Sequence, residues 1–150
     1  MHVKKELNKI LRFVETKMNE VEKAPFQILG KSVNHNWRPI RGVLEYPGVY
    51  IVYQEKRKRP LYIGSAGKGG HHLKYRLADL FYYGGGKHKF KHTLTEKLFD
   101  KLKKFKTIDG VRAFYIIKCG VKIVRTKTVR EARILEDVLI ELLDPKYNQE

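Results

Sequence analysis

The feature that most restricts the fold is the segment Val49 to Tyr53. Five consecutive apolar or aromatic residues follow a Pro47-Gly48 breaker. Such a strand has no polar face, so it must be covered on both sides and belongs in the centre of a sheet. A second short apolar run, Leu61 to Gly64, comes after the Lys/Arg-rich stretch Gln54 to Pro60. So short a link favours an antiparallel hairpin.

The remaining elements group around that hairpin. Residues 4 to 22 read as an amphipathic helix, with Leu7, Ile10, Leu11, Val14, Met18 and Val21 at helical spacing and Ala24-Pro25 as its stop. Phe26 to Leu29 reads as a short strand, and Gly30 to Gly42 as irregular chain. Ser65 to Gly70 is a Gly-rich loop. His71 to Tyr83 reads as a helix stopped by three glycines. Thr93 to Lys104 reads as another, with Thr93 and Glu96 as a capping box. Val111 to Lys118 is expected to be a third strand, with Ile123 and Val124 extending it or pairing with it. Thr128 to Leu143 is the clearest helix, ended by Asp144-Pro145. This order predicts one α/β domain over residues 1–150, built on a small mixed or antiparallel sheet.

Charge narrows the partners. Lys and Arg number 32 against 16 acids, a formal net charge of +16. A balance of this kind attracts polyanions over long range and weakens with salt. Nucleic acid comes first; a membrane surface comes second, and no polybasic amphipathic helix dominates the chain. No 18-residue apolar run exists to span a bilayer, and the start MHVKKELNKIL lacks the apolar run of a signal peptide. A cytoplasmic location is the default expectation. Cys119 is the single cysteine, which excludes an internal disulfide and a thiolate metal cluster. Its apolar neighbours suggest a core thiol at a strand end; a reactive nucleophile is the other reading.

The last helix carries the clearest chemical signal. Val129, Ala132, Leu135, Leu139, Ile140, Leu142 and Leu143 form one broad apolar face, and Arg130, Arg133, Asp137 and Glu141 lie opposite. Glu136 falls inside the apolar arc. A carboxylate there must neutralise, pair with a cation or bind a metal. Periodicity alone weighs a structural salt bridge and a metal or catalytic role equally. Tyr50 and Tyr62 lie on the two hairpin strands, where core aromatics with solvated tips are the ordinary reading. Arg76 follows the Gly-rich loop, where surface charge is the ordinary reading.

Taken in order, these residues resemble a known pattern. Gly48-Val49-Tyr50 with Tyr62-Ile63-Gly64 resembles the signature of the GIY-YIG nucleases. Tyr75-Arg76-Leu77 is similar to that family's helical arginine. Glu131 to Glu136 and Pro145-Lys146-Tyr147-Asn148 resemble its distal glutamate and terminal asparagine. The last two elements are most similar to the N-terminal nuclease domain of the bacterial excision-repair incision subunit. The resemblance covers residues 47–148, leaving 1–42 as an N-terminal helix and extension. It implies an α+β fold with a three-stranded antiparallel central sheet flanked by helices. It also implies hydrolysis of a DNA phosphodiester with Mg²⁺ or Mn²⁺ on Glu136 as sole protein ligand. Arg76 would contact phosphate. Tyr62 would act as general base, Tyr50 would orient the water or phosphate, and Asn148 would position Tyr50 or the substrate.

The chain also departs from that pattern. Some members carry a lysine where this chain has Ser65, and a Tyr or His where it has Leu80. A tyrosine base, with an ordinary pKa of about 10, needs an activator. Lys68, Lys74 and His92 are the accessory candidates. Arg57, Lys58 and Arg59 on the hairpin turn, with Lys87, Lys89 and Lys91, form a candidate track for the DNA backbone. The expected substrate is double-stranded or branched DNA, with a homodimer or protein partner for double-strand cutting. Two alternatives stay open: a catalytically inactive nucleic-acid-binding module on the same fold, and a basic protein of a ribonucleoprotein.

Overall fold

The computed structural model describes residues 2–28, 46–54, 57–66 and 119–148. The sequence-predicted helices 71–83 and 93–104, the irregular stretch 30–42 and the strand 111–118 lie outside them.

Helix α1 spans Val3–Lys23. Its apolar stripe turns Val21, Phe13 and Met18 onto the core. Lys122 donates from Nζ to the Val21 carbonyl at 3.3 Å, placing a cation at the negative end of the helix. Ala24 is extended, as a residue before proline prefers, and Pro25 ends the helix. Lys17 ties α1 to the sheet by donating to the Arg125 carbonyl at 2.9 Å. No helix among the described residues is long and apolar enough to cross a membrane.

Three long strands form the antiparallel sheet: β2, Gly48–Gln54; β3, Tyr62–Ala66; and β4, Cys119–Arg125. The two-residue strand β1, Gln27–Ile28, pairs with β4 and adds an outer edge, so the order is β1-β4-β2-β3. β2 is central, as its two-faced apolar sequence requires. Val49, Ile51 and Val52 are almost fully buried, and so is Tyr50. The hairpin register pairs Tyr50 with Gly64 and Val52 with Tyr62.

On the other flank of β2, strand β4 holds Ile123 and Val124 within Cys119–Arg125; the expected strand 111–118 lies outside the described residues. Gly120 sits inside β4, opposite Tyr53 on β2 and Ile28 on β1. The reason is a close approach: a Cβ at Gly120 would collide with the ring of Phe26. Cys119 is buried, and that burial pushes its thiol up to about 12, so it is a core thiol rather than a nucleophile.

Helix α2, Val129–Leu143, covers one face of β2 and β3. Ala132, Leu135 and Leu139 are fully buried against Val49, Ile51, Ile63 and Val124. The Thr128 hydroxyl accepts the Glu131 N–H at 3.1 Å, and the Glu131 carboxylate accepts the Lys127 N–H at 2.9 Å. Two backbone donors at the helix start are thus satisfied. Thr128→Ala should cost about 1 kcal/mol of stability, which urea unfolding would register as a lower midpoint at unchanged slope. Asp144 closes the helix in the left-handed region, at φ 46, and Pro145 prevents its continuation.

Beyond Pro145 the chain returns to the hairpin. The Lys146 N–H donates to the Pro60 carbonyl at 3.0 Å and the Tyr147 N–H to the Leu61 carbonyl at 2.9 Å. Tyr147 is buried. These bonds lay residues 146–148 beside the start of β3.

Candidate active site

Strand β3 is where the candidate residues meet. Four consecutive residues, Tyr62 to Ser65, each hold one part of the arrangement.

Residues paired across an antiparallel sheet share a face, and neighbours along a strand alternate. Tyr50 therefore shares a face with Gly64, and Val52 with Tyr62. The Tyr50 and Tyr62 rings stack, with centroids 6.3 Å apart and planes at 29°. A Cβ on Gly64 would overlap the Tyr50 hydroxyl and ring. Glycine is thus required for the phenol to lie across β3. A tyrosine side chain is longer than the roughly 4.8 Å between strands. The Tyr50 hydroxyl accordingly lies over β3 at Gly64.

Ile63 and Ser65 point to the opposite face, under α2. The Ser65 hydroxyl donates to the Glu136 carboxylate in a short hydrogen bond. Glu136 is half-buried, one position from Leu135 and a turn from Ala132 and Ile140. The sequence left this carboxylate three outcomes: neutralisation, a cation or a metal. The structure supplies a hydroxyl donor as well, from the residue that breaks the family pattern.

Asn148 takes both backbone groups of Ile63. Its Oδ1 accepts the Ile63 N–H at 2.7 Å, and its Nδ2 donates to the Ile63 carbonyl at 2.6 Å. Asn148, expected to position Tyr50 or the substrate, here holds the backbone of the residue between Tyr62 and Gly64. Asn148 acts here by fixing the register of β3, which positions Tyr62 on one side and Gly64 on the other.

The tyrosines and the carboxylate thus occupy opposite faces of β3. β3 joins the two, with Gly64 against the Tyr50 ring on one face and Ser65 bonded to Glu136 on the other. Ser65 was missed as a participant. The signal was available: it has the parity of Ile63, which places it under the helix that carries Glu136.

The predicted phosphate ligand Arg76 lies outside the described residues, as do the accessory candidates Lys68, Lys74 and His92 and the track residues Lys87, Lys89 and Lys91. Arg57 and Lys58 are exposed on the hairpin turn. Arg59 is exposed beside them and makes an ion pair. Its guanidinium donates to the Asp144 carbonyl at 2.6 Å and to its carboxylate at 3.1 Å, joining the hairpin turn to the end of α2.

Known proteins were compared with the chain. One solved structure similar to it is the N-terminal endonuclease domain of UvrC from Thermotoga maritima, bound to its catalytic divalent cation, magnesium. Identity is 27% over 71% of this chain and 88% of that one, with a TM-score of 0.42. Two point-mutant forms of that domain match at 27% and 26% identity. Each match covers 73% of this chain and 89% of the other, again at a TM-score of 0.42. The likeness is to a GIY-YIG endonuclease domain. No family model matches the chain, and no curated protein does.

The site's donors suit a hard cation. The Glu136 carboxylate and the Ser65, Tyr50 and Tyr62 hydroxyls are all oxygen groups, and hard divalent ions select oxygen. No group of three His, Cys, Asp or Glu side chains gathers among the described residues. An ion here would rest on one carboxylate and draw its other ligands from water and substrate, as Mg²⁺ does readily.

Proposed function

We propose that the chain is a divalent-metal-dependent endonuclease that hydrolyses DNA phosphodiester bonds at a site built around β3. The observation that supports this most is the Glu136 carboxylate. It is held by Ser65 on an otherwise apolar helix face, beside the strand that sets both tyrosines. A carboxylate kept for packing alone would cost stability with no return.

Glu136 would hold Mg²⁺ or Mn²⁺, and Ser65 fixes the rotamer in which it does so. A bound divalent cation supplies charge that polarises the scissile phosphate and stabilises the leaving oxygen. Tyr62 takes the proton from the attacking water. Tyr50, packed against Tyr62 and over Gly64, orients that water or the phosphate. Asn148 keeps β3 in register beneath them. Arg76 is assigned to a phosphate oxygen, where its charge offsets what develops in the transition state. The net charge of +16 draws the polyanion to the surface.

The direct test is relaxation of a supercoiled plasmid by purified protein. Nicked circles should accumulate in Mg²⁺, stop with excess chelator, and resume when Mg²⁺ is restored. Intact plasmid under every metal condition would overturn the proposal and leave a binding module on the same fold.

A further inference from the structure

One surface cavity plays no part in the site above. It lies at the far end of the sheet, with a volume of about 350 Å³, and is lined by Phe26, Tyr53, Gln54, Arg57, Lys58 and Lys122. That volume falls within the range of small-ligand sites. Its lining combines two aromatic rings, three cations and one amide, with no carboxylate among the described residues.

The aromatic floor is built rather than incidental. Phe26 lies against Gly120, whose missing Cβ makes room for the ring. Its ring meets Tyr53 edge-to-face, with centroids 6.3 Å apart and planes at 67°. Phe26 nevertheless remains 40% exposed. Lys122 is held by its bond to the Val21 carbonyl, so its charge is fixed at the wall. Arg57 is placed by the turn, where its N–H donates to the Gln54 carbonyl at 3.0 Å.

A flat apolar surface ringed by positive charge fits a ligand that is planar and anionic together. A nucleotide is both. In a duplex the base faces are hidden in the stack, so only an unpaired base can reach such a floor. We propose that this cavity holds one unpaired base of a nucleic-acid strand, stacked on Phe26, with the adjoining phosphates on Arg57, Lys58 and Lys122. Gln54 offers donors and an acceptor to the base edge. Along β2, Tyr53 lies four residues from Val49, the partner of Ser65. At about 3.3 Å per residue that is roughly 13 Å, close to four nucleotide rises of about 3.4 Å. A substrate with an unpaired stretch near the cut could therefore occupy both places. The proposal rests on the nucleic-acid part of the functional reading, not on its metal chemistry.

The test measures binding of the whole protein in chelator, so no cleavage is involved. A labelled twelve-residue oligo(dT) and a twelve-base-pair duplex are compared by fluorescence anisotropy. Phe26→Leu keeps an apolar side chain but removes the ring. It should weaken oligo(dT) binding about 10-fold, within the range measured for base–aromatic stacking, and leave the duplex within about 2-fold. Phe26→Tyr should restore the single-strand affinity. The Arg57→Gln, Lys58→Gln double variant should flatten the salt dependence of oligo(dT) binding by about 1.4 units of slope. Unchanged oligo(dT) affinity in Phe26→Leu, an equal loss on both substrates, or no recovery with tyrosine would each overturn the proposal. A protein that passes these tests but never nicks a plasmid would keep this site and lose the catalytic reading.

Discussion

Glu136→Gln should reduce Mg²⁺-dependent plasmid nicking by about 10³-fold or more, while DNA affinity in chelator stays within about 2-fold. A 10³-fold loss corresponds to about 4 kcal/mol of transition-state stabilisation, a reasonable share for a residue that alone anchors the ion. Glutamine has the shape of glutamate and can still accept from the Ser65 hydroxyl, so the helix and β3 stay in place. What it removes is the negative charge, without which a hard cation has no anionic protein ligand. The two readings of Glu136 separate here. If the carboxylate served only to tie α2 to β3 through Ser65, glutamine would preserve that bond and nicking would continue at the wild-type rate. Such a result would sink the catalytic assignment. A melting temperature unchanged beside lost activity would support it.

Gly64→Ala should strike both stability and activity. The added methyl would overlap the Tyr50 hydroxyl and ring. Tyr50 is only 4% exposed, so the ring has little room to retreat. Overpacking of this kind costs about 1–3 kcal/mol. In a chain of this size that lowers the melting temperature by about 3–10 °C. The ring must also move by an ångström or more. Displacement on that scale costs about 100-fold in rate when the group aligns reactants. Calorimetry and plasmid nicking on one preparation would measure both. Adding Tyr50→Phe removes the hydroxyl, one of the overlapping groups, so part of the stability should return while nicking does not recover. If Gly64→Ala keeps full activity, Tyr50 has no role in orienting water or phosphate.

Much of this architecture could be read from the sequence because hydrophobic period is a local property. The two-faced run Val49 to Tyr53 fixed a central strand. The stripe Ala132, Leu135, Leu139 fixed the buried face of α2 and exposed the anomaly of Glu136 upon it. The role of Gly120 was not legible in this way: its missing Cβ is a clearance for the ring of Phe26, a residue far away in sequence. Partners were harder to read than positions. Nothing local pairs Ser65 with a residue 71 positions away, or Asn148 with one 85 away. Those contacts follow from register, which the sheet supplies only once it has formed. Arg59 shows the same limit: nothing local in the basic turn announces Asp144 as its partner, which the left-handed end of α2 brings within reach.

The amide of Asn148 has one more consequence. β3 is the outermost strand on its side of the described sheet, and strands in that position invite pairing with other chains. At Ile63 the invitation is withdrawn, since both backbone groups that a foreign strand would seek are already taken. The residue that steadies the tyrosines therefore also guards against edge-to-edge aggregation. The chain's surplus of positive charge adds to that protection by repelling other copies of itself before they meet.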